Sequence, residues 1–178
     1  MGNLYQNIYE FDGFVNNNGN SIHETAIIYD NVNLGRGNVI GAYSVIGSNG
    51  EMRGVKQKDF KGKVIIGDNN VISEHVTIHA PYKQGEKTII GDNSIIMAHS
   101  HIGHNAEIGS NCEICTTSVI GGYAIIKDNV KIKLHSVVRN RVIVEEGVIV
   151  GMGSVVTKDV AKGSIIYGNP AKEKSERK

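Results

Sequence analysis

The sequence has 178 residues, enough for one domain with a continuous core. Its 19 Lys and Arg face 18 Asp and Glu, a net charge of +1, and no basic stretch is interleaved with aromatics. That balance argues against nucleic acid and against a charged membrane surface as partners.

The opening stretch MGNLYQNIYEFDGFV lacks a basic n-region and an apolar h-region, and no apolar run nears the ~18 residues of a membrane span. A cytoplasmic protein is expected. The polar NNNGN at 16–20 closes a short N-terminal cap, taken as residues 1–21. From Ile22 a period of six begins: Ile22, Ile28, Leu34, Ile40 and Ile46, often followed by Gly (Gly35, Gly41, Gly47). Neither a helix nor an ordinary strand has that period. A hexapeptide repeat is the mark of a parallel β-helix, whose short strands bury their apolar faces only by stacking on copies of themselves.

Residues 48–64, SNGEMRGVKQKDFKGKV, break the phase and carry five Lys or Arg, so they predict a loop thrown out from one corner. The repeat resumes at Ile66, Ile72 and Ile78. Residues 80–88 keep the count but lack the inward aliphatic, which predicts a second loop; loops on a rigid solenoid are where function concentrates. Then an aliphatic recurs every sixth position from Ile90 to Val156, through Ile96, Ile102, Ile108, Ile114, Ile120, Ile126, Ile132, Val138, Val144 and Val150. Four places after many of these the residue is small (Ser94, Ser100, Ala106, Cys112, Ser118, Ala124, Ser136, Ser154), so both sets point into a narrow core. Cys112 and Cys115 form a C-x-x-C. Two thiols are half a zinc site, and the repeat accounts for both: Cys112 takes the small inward position and Cys115 the place beside Ile114. The β-helix is expected over 22–167 and a solvated tail over 168–178.

Over residues 22–172 the sequence resembles the left-handed β-helix acyltransferases, in which three hexads make one triangular coil. KVIIGDNNVISEHVTIHAP and TIIGDNSIIMAHSHIGHNAEIGSNC are similar to the central coils of UDP-N-acetylglucosamine O-acyltransferase. HIGHNAEIG and IGSNGEM resemble UDP-3-O-acylglucosamine N-acyltransferase equally. The end, GMGSVVTKDVAKGSIIYGNPAK, resembles the closing coil of acetyl-CoA-dependent hexapeptide transferases, and the helical C-terminal segment of the lipid A enzymes is not expected. The resemblance implies an all-β, left-handed parallel β-helix, handedness included, assembled as a homotrimer. It also implies transfer of an acyl group from a coenzyme A or acyl carrier protein thioester, acetyl-CoA foremost, to a hydroxyl or amine of a nucleotide-linked sugar. Whether oxygen or nitrogen is acylated stays open.

His104 matches the general-base histidine of both lipid A enzymes, and Gly122, one coil of three hexads on, matches their oxyanion glycine. Stacking sets Gly122 above His104 by about 4.8 Å, where an imidazole takes a proton and a backbone N–H stabilises the tetrahedral oxyanion. By the same resemblance His101 and His79 line the acceptor side. Asp59 and Lys61, in QKDFKGK, match a sugar-contacting D-x-K. Tyr123 stands where the O-acyltransferase has another His. Arg139, Arg141 and Lys158 rise above His104 along the expected course of the donor and suit its phosphates. His23, His75 and His135 have no motif around them and are expected as surface residues. A rival reading, also by resemblance, uses His79, His99 and His104 as the zinc triad of a γ-class carbonic anhydrase, a related β-helix that places its three His across a trimer interface and turns bound water into the nucleophile. Against it, Ser73 and Glu74 replace the Gln-Asp pair before the first His, and Asn105 and Ala106 the Gly-Cys after the third.

Overall fold

A computed structural model describes residues 13–50, 59 and 61–173. Within them the chain winds as a parallel β-helix with three sheets as its faces: a ten-stranded face A, a seven-stranded face B and a six-stranded face C. Most strands are only two residues long, and within the stacked coils each pairs in parallel with a strand one coil away. Ile102 pairs with Ile120, and Ile120 with Val138, so identical steps of 18 residues stack the hexads in register. One coil runs through Glu107–Ile108 on face C, Glu113–Ile114 on face A and Val119–Ile120 on face B. We name the corners between them CA, AB and BC.

The core follows the expected pattern. Every hexad aliphatic from Ile40 onward is buried, and Ser44, Ser94, Ser100, Ser118, Ser136 and Ser154 are buried with them. A buried hydroxyl costs stability unless it is bonded. Here each is: Ser100, Ser118 and Ser136 donate to the carbonyls of Cys115, Lys133 and Gly151. In the first coils the same role falls to asparagine, which sequence reasoning missed. Asn38 and Asn70 each donate from Nδ2 to the Oδ1 of the Asn below, Asn20 and Asn38, and to the carbonyls of Gly67 and Gly91.

Corners turn on residues with positive φ, recurring every sixth place from Asn93 through His99, Asn105, Asn111, Thr117 and Tyr123 to Asn129, His135 and Arg141. This is the left-handed region that only Gly and Asn enter readily.

The two expected loops take distinct forms. Strand Val45–Asn49 runs on past the predicted start of the first loop, pairing Ser48 with His79 and Asn49 with Ala80; the chain returns on face C at Lys63–Ile66. Part of this loop lies outside the described residues. The second leaves after Thr77–Ala80 and ends before Lys87–Ile90, so Ala80, Lys87 and Thr88, within the stretch expected as loop, sit in strands. Ile78 pairs with Ile102, 24 positions on rather than 18. One whole hexad is extruded, which is why the count stays in phase.

At the start, Phe14–Asn17 folds back antiparallel on Asn20–His23, the first face A strand, with Asn18 and Gly19 at positive φ in the turn. NNNGN is thus a hairpin turn, the type that Asn-Gly favours. At the other end Lys172–Glu173, inside the expected tail, pairs antiparallel with Ile165–Tyr167. Both hairpins cover a face A edge that would otherwise offer unpaired backbone to another chain.

Candidate active site at the BC corner

His104 sits at the BC corner, half-buried between two glycines on neighbouring turns of chain. A side chain at Gly122 would meet the ring within 3.0 Å of Nε2, and one at Gly50 within 3.0 Å of Cδ2. Only at a position without a Cβ can the backbone approach the ring this closely. Gly122 is therefore where stacking predicts it, next to Nε2. Its N–H finds no acceptor among the described residues, as is also true of the N–H of Ala98, Thr116, Leu134 and Asn140 at the same place in their hexads.

The opposite edge of the ring is held. His104 Nδ1 lies 2.9 Å from Asn105 Oδ1, and Asn105 Nδ2–H donates to Glu86 Oε2 at 3.1 Å. A carboxylate only accepts, so the amide turns its NH₂ to Glu86 and its oxygen to His104. His104 then donates from Nδ1, leaving Nε2 unprotonated against the backbone of Gly122. The Asn105 backbone N–H is bound to Thr88 Oγ1, whose hydroxyl donates to the His79 carbonyl. Neither Asn105 nor Glu86 stood among the sequence candidates. Asn105 was legible as the neighbour of His104; Glu86 lies nineteen residues away in an extruded loop and had no signal.

The remaining candidates divide. His79 and His101 form an edge-to-face pair, ring centroids 4.6 Å apart, and His101 Nδ1 is 2.8 Å from Thr77 Oγ1. This pair lies on face B, one coil apart, beside the BC corner. Tyr123 sets its ring edge-on to His104 at 5.3 Å and carries the Arg141 guanidinium on its face, 4.3 Å from the ring centroid. That cation–π contact draws Arg141 down a coil toward His104. Arg139 and Lys158 are exposed on the same side higher up. Lys61 is exposed, and its N–H donates to the Tyr82 carbonyl, so it borders the second loop rather than His104 itself. Asp59 is half-buried nearby in sequence. The cleft in front of His104, lined also by Tyr82, Lys83 and Glu86, encloses about 40 Å³, room for little more than a water molecule.

His99 is not part of this group. It stacks face to face on His75 at 4.7 Å, and His75 on Tyr43 at 5.2 Å, in an outward column at the AB corner. His79, His99 and His104 therefore do not converge within one chain, and among the described residues no group of three or more His, Cys, Asp or Glu is placed to hold a metal ion. His75 and His135 are exposed at the AB corner, as expected of surface residues, and His135 Nδ1 lies 2.5 Å from Thr117 Oγ1. Cys112 and Cys115 are free and buried, and burial pushes both thiols up to about 11. No helix among the described residues is long and apolar enough to cross a membrane.

The family model for bacterial transferase hexapeptides (six repeats) matches residues 87–122, the two coils that contain His101, His104 and Gly122. No curated protein matches the chain. Among solved structures, the UDP-N-acetylglucosamine acyltransferase LpxA from Bacteroides fragilis 9343 superposes with a TM-score of 0.82 at 30% identity, over 88% of this chain and 60% of that one. The UDP-N-acetylglucosamine acyltransferase of Francisella novicida gives 0.71 at 25%, over 85% and 69%. The UDP-N-acetylglucosamine O-acyltransferase of Moraxella catarrhalis RH4 gives 0.70 at 26%, over 86% and 73%. The chain thus spans about three fifths of the Bacteroides protein's length. The hexapeptide repeat and the left-handed parallel β-helix are shared with these proteins.

Proposed function

We propose that this hexapeptide-repeat β-helix is an acyltransferase that moves an acyl group from a thioester to a hydroxyl or amine of a nucleotide-linked sugar, with His104 as general base. One observation carries the reading: an imidazole held from Nδ1, with Nε2 set against the Cβ-free backbone of Gly122 one coil up.

The chemistry follows from that pair. Nε2 takes the proton of the acceptor O–H or N–H as the heteroatom attacks the thioester carbonyl carbon. The carbonyl π electrons move to oxygen, and the oxyanion accepts a hydrogen bond from Gly122 N–H, which needs no reorganisation because the backbone is fixed by the stack. Collapse breaks the C–S bond. The thiolate leaves with the proton that His104 took up, and the product is an ester or amide. His101 and His79, on the face beside the base, would orient the acceptor.

A cleft of about 40 Å³ is far below the ~300 Å³ or more of a ligand site. A homotrimer would supply the second wall, since three-fold closure forms the same site three times; light scattering that reports a monomer at micromolar concentration would remove this shared site. For the donor, acetyl-CoA is favoured over an acyl carrier protein thioester because Arg139, Arg141 and Lys158 form a cationic run above the base on the exposed side.

The experiment is a turnover screen of acetyl-CoA and longer acyl thioesters against a panel of nucleotide sugars, with His104→Ala as the control. Thioester cleavage that depends on both an acceptor and His104 supports the reading. Cleavage unaffected by His104→Ala would overturn it.

A further inference from the structure

The extruded hexad between Ile78 and Ile90 does more than interrupt the coil. It ends at Glu86, whose backbone is clamped on both sides: its N–H donates to the Lys83 carbonyl, and its own carbonyl accepts from Lys63 N–H on face C. The next residues enter strand Lys87–Ile90, where Thr88 is fully buried. Glu86 and Thr88 together grip Asn105 from the coil below, one by its side-chain amide and the other by its backbone N–H. Asn105 itself stands at φ 60, a conformation that Asn adopts readily.

An asparagine amide can turn over with little change in shape, and the two orientations have opposite consequences for the histidine. With oxygen toward His104, Nδ1 carries the proton and Nε2 is a base. With nitrogen toward it, Nδ1 must accept, and Nε2 carries the proton and cannot serve as one. His104 alone does not choose between them. Glu86 does, because its carboxylate accepts from Nδ2–H and would repel the amide oxygen.

We propose that Glu86 is a positioning residue: by fixing the orientation of the Asn105 amide it holds His104 in the Nδ1–H tautomer, with Nε2 directed at Gly122. The inference rests on the reading of His104 as general base. It extends that reading to a relay in which the negative charge lies one amide away from the imidazole. When His104 takes up a proton, the carboxylate and the oriented amide dipole stabilise the imidazolium without a carboxylate in direct contact.

The test is a set of variants read in two ways, by the imidazole ¹⁵N chemical shifts of His104 and by kcat. Wild type should show the Nδ1–H form. In Glu86→Lys the amide is drawn round, so the Nε2–H form should dominate and kcat should fall by about 10²-fold or more, with KM little changed. Asn105→Asp alone sets two carboxylates at hydrogen-bond distance and should lose about tenfold through like-charge repulsion. The double variant Glu86→Gln/Asn105→Asp should recover most of that loss, because the new side-chain amide donates where the Glu86 carboxylate accepted. Should Glu86→Lys not fold, Glu86→Ala removes the same restraint and should give a mixture of tautomers. A Glu86→Lys or Glu86→Ala protein with wild-type tautomer and kcat would overturn the proposal, as would a double variant no better than Asn105→Asp. If the wild type turns over no thioester, the reading of His104 fails instead, and the ¹⁵N shifts still decide what Glu86 does.

Discussion

The CA and BC corners are built from the same six-residue unit and differ in what they do with it. At CA every left-handed position described is Gly or Asn: Gly37, Asn69, Asn93, Asn111, Asn129, Gly147 and Gly163. There the N–H groups of Arg36, Asp68, Asp92 and Ser110 are each capped by a side-chain oxygen one coil up, from Asp68, Asp92, Ser110 and Asp128 in turn. These four donors form a ladder that runs up the column as far as Asp128. At BC the left-handed positions are Asn105, Tyr123 and Arg141, and Gly122 N–H is uncapped among the described residues. A left-handed conformation costs an ordinary L-residue about 1–2 kcal/mol. The BC corner therefore gives up stability that the CA corner keeps, and in return it projects an imidazole, a phenol and a guanidinium from consecutive coils. Strain by itself does not locate a site: the AB corner also turns on Tyr43, His75, His99, Thr117 and His135, whereas at BC the imidazole edge of His104 lies against the Cβ-free backbone of Gly122.

The contrast between corners is most exposed at His104. Substituting His104→Ala should lower kcat by ~10² to 10⁴ while leaving circular dichroism and melting unchanged, since the ring lies outside the core. Gly122→Ala, which pushes a methyl group to within 3.0 Å of Nε2, should cost about 10²-fold in kcat by displacing the reacting atoms.

A smaller effect is expected where charge rather than geometry is removed. Arg139→Ala/Arg141→Ala should raise KM for acetyl-CoA by about tenfold with kcat little changed, as for lost uniform binding. Unchanged affinity in that double variant would move the donor off this edge.

Exchanging residues between the two corners separates strain from function. Asn111→Tyr should lower stability by about 1–2 kcal/mol in a denaturant titration and leave activity intact. Tyr123→Asn relieves the same strain of about 1–2 kcal/mol but loses the contact with Arg141, worth about 0.5–1 kcal/mol, so its stability should hold or rise slightly while its activity falls. Equal effects of the two on activity would erase the distinction between the corners.

The smallest effect concerns the buried thiols. With both pushed up to about 11, Cys112 and Cys115 remain protonated at neutral pH, and the folded protein should resist iodoacetamide at about pH 8 far longer than the denatured one. Rapid native labelling of either would reopen a redox role for the C-x-x-C.

Much of this molecule follows from a count of six. The spacing from Ile90 to Val156 determined the stacked coils and the core, because a strand two residues long buries its aliphatic only against an identical neighbour. With three hexads to a coil, as the resemblance implied, the same count put Gly122 over His104. Periodicity could not distinguish a hexad wound into the helix from one extruded as a loop, since both preserve the phase; only the pairing of Ile78 with Ile102 decides that. The sequence also offered His79, His99 and His104 as a triad shared across a trimer; within one chain the triangular section sends His99 and His104 to different corners. Glu86 is the clearest case of what tertiary structure alone decided. Its hydrogen bond to Asn105 crosses from an irregular loop to a regular corner, and an irregular loop has no period from which its reach could be read.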